Sequence, residues 1–241
     1  MCYIVDMAFT MMEFVAFTAG IDAVIAGVAW MILRMRLRRG LRPSPTARYL
    51  AHYLLASVGF LLLTAAAMGW LQGSAQAFAL FLSDLLLWLA LVLFVLLTAV
   101  GRSRSGRGAA LVLLLFFAVL GTLYQVAGFA GVHPAFGSAI TYVLTNMAPL
   151  LMYAVWVPSA VLFFMTAMKT RDAVVRSRSL MFSAGLLLIT YSWASRLQLF
   201  SAEPSLGVVI VASIIGFTLI LGGVVYRAGT PVMVQPRRAG A

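Results

Sequence analysis

Seven stretches of about twenty or more mostly apolar residues constrain this chain more than any other feature. They run over about 8–33, 49–71, 77–100, 108–131, 138–168, 179–200 and 205–226. A helix rises 1.5 Å per residue, so roughly 20 apolar residues are enough to cross the hydrocarbon core of a bilayer. Between the stretches lie short loops, with a seven-residue lead before them and a tail of about fifteen residues after. A folded extramembrane domain needs at least about 50 residues, and no such segment remains. The expected fold is therefore all-α: one polytopic bundle of seven transmembrane helices, with a short basic tail at 227–241. The first stretch reads as a span and not a cleaved leader. Its first positive charge is Arg34, and it is far longer than the apolar core of a signal peptide.

Composition removes the competing classes. Hydrophobic residues make up 63% of the 241 and charged residues 10%, whereas soluble domains carry about 25% charged residues. A water-soluble globule, a disordered chain and a disulfide scaffold are excluded. Seventeen Lys and Arg against six Asp and Glu give a formal charge of +11, which in a soluble protein would suggest nucleic acid. Here the positions account for the charge. Arg34, Arg36, Arg38, Arg39, Arg42 and Arg48 lie between spans one and two, and Arg102, Arg104 and Arg107 between three and four. Lys169, Arg171, Arg176 and Arg178 lie between five and six, and Arg227, Arg237 and Arg238 follow span seven. The opposite loops carry none. By the positive-inside rule the N-terminus is outside, the C-terminus is cytoplasmic, and the chain resides in the cell (inner) membrane.

The basic belt is read as an orientation signal, with no nucleic-acid partner. Arg34, Arg36, Arg38, Arg39 and Arg42 could also hold anionic headgroups, at about 1 kcal/mol per basic residue near the surface. Trp70 and Trp193 at outer ends, and Trp30, Tyr49 and Tyr226 at inner ends, fit interfacial anchors. Small residues at four-residue spacing (Ala19, Ala23, Gly27) and Gly216, Gly222 and Gly223 suit close helix packing. Pro149 and Pro158 interrupt span five and can kink it.

Ionisable groups inside spans are costly in lipid and mark paired or cavity-lining positions. They are Glu13 and Asp22 on span one, His52 on span two, Asp84 on span three and Arg196 on span six. Glu13, Asp84 and Arg196, with Gln125 and Asn146, fall in the outer half of the bundle. Tyr142, Asn146, Pro149 and Tyr153 are spaced to share one face of an unbroken helix. The expectation is an outward-facing polar layer formed by Glu13, Asp84, Gln125, Tyr142, Asn146 and Arg196. It is either a ligand pocket or a network that ties the helices together. Asp22, nearer mid-membrane, is either a proton or cation site or a hydrogen bond to a neighbouring helix.

No catalytic set is apparent. His52 and His133 lie at opposite membrane faces and Cys2 adds no ligand at usable spacing, so neither metal nor cofactor is expected. The motifs H-E-x-x-H, the P-loop and G-x-S-x-G are missing. Lys169, the single lysine, is at the cytoplasmic end of span five, so retinal has no attachment point of the microbial-rhodopsin kind.

Two basic, small-residue lead-ins to spans, PTARYLAHYLLASVGF at 45–60 and RDAVVRSRSLMFSAGLLL at 171–188, give the chain a further likeness. With its hydropathy and loop charges, it resembles the seven-helix membrane sensor regions at the N-terminus of some bacterial histidine kinases. That resemblance implies an N-out topology and an outward ligand-binding face; no kinase domain follows Arg227. Three functions stay open: a non-enzymatic sensor or receptor-like protein binding a ligand or membrane partner, a small transporter or channel, and an accessory subunit of a membrane complex.

Overall fold

The computed structural model describes residues 11–39, 45–98, 104–129, 138–194 and 206–226. Among these the chain is entirely helical, with no strand. The helices are α1 (Met11–Arg39), α2 (Pro45–Gly69), α3 (Gly73–Thr98), α4 (Arg104–Phe129), α5 (Ser138–Thr145), α6 (Met147–Lys169), α7 (Ala173–Ala194) and α8 (Leu206–Val225). Seven of them, all but α5, are long and apolar enough to cross a membrane. The chain is a multi-pass helical membrane protein.

Several helices run past the apolar stretches into the basic flanks, α1 as far as Arg39. Arginine favours helix, and headgroups or water accept its charge, so the backbone ladder continues where hydrophobicity stops. Local chemistry sets the other ends. Pro45 occupies the first position of α2, where its missing N–H would have had no helical partner anyway. The turn into α3 spans only Trp70–Gln72 and ends on Gly73 at φ +59°, a left-handed conformation that a side chain would strain. Asp172 starts α7 by accepting the N–H groups of Val174 and Val175 at 2.8 and 3.2 Å, which satisfies two otherwise unpaired donors.

The stretch 138–168 is not one helix. It breaks at Asn146 into α5 and α6. Proline lacks the N–H that would reach back four residues, and its ring crowds that carbonyl. For Pro149 the affected residue is Thr145, where α5 stops. Pro158, by contrast, stays inside α6.

Sequential neighbours pack most closely: α1 with α2, α2 with α3, α6 with α7, and α7 with α8. α8 returns to α1, and α3 meets α6, so six helices close a ring. α4 lies across the α3–α6 flank with α5 beside it. Leu54, Leu61, Leu91, Met152, Leu186, Ile189 and Val224 are the most deeply buried large apolar side chains.

Candidate functional site

Asp84 and Gln125 meet. α4 turns Leu114, Ala118 and Gly121 inward, at the i, i+4, i+7 spacing of one face, and Gln125 extends that face by a turn. α3 presents Asp84 and Trp88 one turn apart. The helices run antiparallel, so Trp88 rests against Gly121 while Gln125 reaches Asp84. A Cβ added at Gly121 would lie 3.2 Å from Trp88 Cζ2, so the glycine gives the indole its seat. The Gln125 amide donates to Asp84 Oδ2 at 2.5 Å.

The pair lines an open groove of about 420 Å³ between α3 and α4, with Ala77, Leu80, Phe81 and Gly128 as its remaining walls. Gln125 is the one hydrogen-bond partner of Asp84 among the described residues. A turn deeper, the Trp88 indole N–H is buried without a partner among them, as is that of Trp156 on α6. The site is thus a half-buried carboxylate at membrane depth, steadied by one neutral donor, in a groove otherwise apolar. Such a carboxylate can accept an ammonium or a further N–H or O–H.

No family model, characterised protein or solved structure matches this chain.

Of the remaining members of the expected polar layer, Glu13 lines a groove other than that of this pair, about 650 Å³, between α1 and α2, together with Phe17, Gly20, Leu62 and Trp70. Arg196 lies outside the described residues. The backbone of Tyr142 belongs to α5, and its side chain is outside the description. Asn146 stands at the α5–α6 break, half-buried, with φ −102° and ψ 19° and no side-chain bond to the start of α6. The break also dissolves the continuous Tyr142–Tyr153 face. Tyr153 belongs to α6 and donates to the Thr190 carbonyl of α7 at 3.2 Å.

Asp22 is buried between α1 and α8, where Ser213 donates to its Oδ2 at 2.5 Å. Sequence reasoning saw the carboxylate but not its partner, 191 residues away. It also missed how α8 is held. Its Gly216 meets Gly185 of α7 backbone to backbone: a Cβ at Gly185 would lie 2.7 Å from the Gly216 carbonyl, and one at Gly216 2.9 Å from that of Gly185. At the C-terminal end of α8, Arg36 of α1 donates to the carbonyls of Val224 and Val225, the latter at 2.9 Å. Arg178 of α7 donates to that of Gly223 at 2.8 Å. These are the carbonyls a helix leaves without internal partners. A buried hydroxyl cluster likewise joins α2 to α3: Thr64 and Ser83 lie 2.8 Å apart, one donating to the other, and both hydroxyls are within hydrogen-bond distance of Phe60 O. Glycines and serines on facing spans were the available signal, but pairing them requires the helix order.

Proposed function

We propose that this chain is a non-enzymatic, receptor-like protein of the cell membrane, with its N-terminus outside and its C-terminus cytoplasmic. Its ligand would be a small molecule carrying an ammonium or comparable donor, bound at Asp84. The supporting observation is the Asp84 carboxylate in the α3–α4 groove, with Gln125 as its one described partner. Asp84 sits roughly 16 Å along α3 from Gly73, taking 1.5 Å per residue. A charge at such depth costs several kcal/mol unless paired, and a neutral amide offsets only part of that. A cationic group in the groove would complete the pairing.

The same geometry suggests how binding could be felt elsewhere. Gln125 is the described polar tie from α4 to α3, so a ligand that competes for Asp84 loosens the seat of α4. A population shift needs such a difference between bound and free states. Transport draws no comparable support from Asp22, which is buried in the α1–α8 contact with Ser213 donating to its Oδ2.

The test is thermal unfolding of the protein in lipid nanodiscs with a panel of aliphatic amines, polyamines and amino acids. At least one amine should raise the midpoint of the wild type. Asp84→Asn should abolish that shift, while Asp22→Asn and Glu13→Gln keep it. A shift that persists in Asp84→Asn, or no shift with any amine, refutes the reading. Reporter fusions at residues 34–48 check the orientation, which requires those residues to be cytoplasmic.

A further inference from the structure

The basic end of α1 presents two different faces, which its composition does not reveal. One face, carrying Leu33 and Arg36, turns into the bundle; Leu33 is buried and Arg36 holds the end of α8. The other face carries Met31, Arg34, Met35 and Arg38, at the i, i+3, i+4, i+7 spacing of a single stripe. All four are exposed, the methionines at 51% and 52%. Arg34 lies over the ring of Trp30, 5.0 Å from its centroid. Together these residues line an open groove of about 440 Å³ that continues to Val28 and Ile32. One turn further along, Val24 is 65% exposed.

We propose that this groove is a binding site for an anionic phospholipid. Two guanidinium groups one turn apart, roughly 6 Å in rise, flank a position for one phosphate, and arginine favours planar, bidentate contact with phosphate oxygens. The indole of Trp30 holds Arg34 in place and is itself a headgroup-depth residue. From the arginines the apolar stripe runs Met35, Met31, Ile32, Val28, Val24 toward the bilayer interior, the course of an acyl chain. Charge complementarity at one end and a continuous apolar stripe below it select a lipid over a free anion. Arg36 is excluded from the site by its bonds to α8. The proposal does not depend on the ligand reading at Asp84, because it concerns the opposite end of the bundle.

The test is native mass spectrometry and thermal unfolding of the reconstituted full chain, with phosphatidylglycerol, phosphatidylcholine or inorganic phosphate as probe. The wild type should retain phosphatidylglycerol over phosphatidylcholine and unfold at a higher temperature with it. Arg34→Gln/Arg38→Gln should weaken phosphatidylglycerol binding about thirtyfold, taking two basic residues at the usual strength of a surface contact. Its midpoint in pure phosphatidylcholine should match the wild type, which separates lost binding from lost folding. Arg36→Gln should do the reverse, unfolding earlier in phosphatidylcholine but keeping the preference for phosphatidylglycerol. Equal binding of the two lipids by the wild type overturns the proposal, as does an undiminished preference in the Arg34→Gln/Arg38→Gln variant. Stabilisation by inorganic phosphate equal to that by phosphatidylglycerol overturns the lipid assignment.

Discussion

α8 and α4 are both apolar helices packed beside a neighbour, yet they are held by opposite means. α8 touches α7 backbone to backbone through Gly185 and Gly216, is tied to α1 by Asp22 and Ser213, and has its last carbonyls capped by Arg36 and Arg178. α4 packs through Leu114, Ala118 and Gly121 against α3 and α6, and one side-chain bond among the described residues, Gln125 to Asp84, ties it to α3. In the α4 span 17% of residues are buried, against 44% in that of α8. In lipid, apolar side chains gain little by leaving the solvent, so close backbone approach and interhelical hydrogen bonds decide which helices are fixed. α8 has both in number and belongs to the frame. α4 has less of both among the described residues, and the groove lined by Asp84 and Gln125 opens between it and α3.

The largest expected effect falls on the fixed side. Gly216→Val forces a side chain into the Gly185 carbonyl and Ile189, against neighbours that are mostly backbone. It should cost about 3 kcal/mol, the upper range for overpacking, measured by equilibrium unfolding in detergent. Gly20→Val, with open space around its Cβ position, should change stability by no more than about 0.5 kcal/mol, as a surface substitution does. Equal costs at the two sites would erase the contrast on which the comparison stands.

Next come the α8 caps. Arg178→Gln and Arg36→Gln each remove a charged donor from the end of α8 and should cost about 1 kcal/mol, below the full value of a charge-assisted bond because the sites are partly exposed. Hydrogen exchange should accelerate in the last turn of α8 and not in α4. A smaller loss, about 0.6 kcal/mol for an average interhelical bond in lipid, is expected for Ser213→Ala, with Asp22→Asn milder because the amide still accepts from Ser213. Gly121→Ala should cost far less than Gly216→Val. Its Cβ would press on Trp88 and on Met147 at 3.4 Å, but α4 is free to move outward, and the loss should stay under about 1 kcal/mol. Spin-label distances between α3 and α4 should lengthen even so. If Gly121→Ala were as damaging as Gly216→Val, α4 would be part of the frame and its proposed response to ligand would fail.

Much of this was legible in the residues. Each of the seven apolar stretches holds one helix long and apolar enough to cross a membrane, because length and hydropathy are properties of each segment alone. Asp84 and Gln125 were marked as polar at similar depth, because rise per residue gives depth without knowledge of neighbours. The break at Asn146 was half visible: Pro149 announced a disturbance, but the local pattern could not say whether the helix would bend or stop. Glu13 and Asp84 line different grooves, since equal depth leaves the position around the ring undetermined.

That distinction is general to the molecule. A single chain of residues carries its own periodicity, hydrophobic length and charge asymmetry, so the membrane class and the number of long helices were settled before any folding. Which faces meet depends on contacts between segments far apart in sequence. Only the tertiary structure joined Gly185 to Gly216, Ser213 to Asp22 and Arg36 to the end of α8, and left α4 loosely seated over Asp84. Those pairings depend on helix order and rotation, which are fixed by where backbones can approach and hydrogen bonds can close.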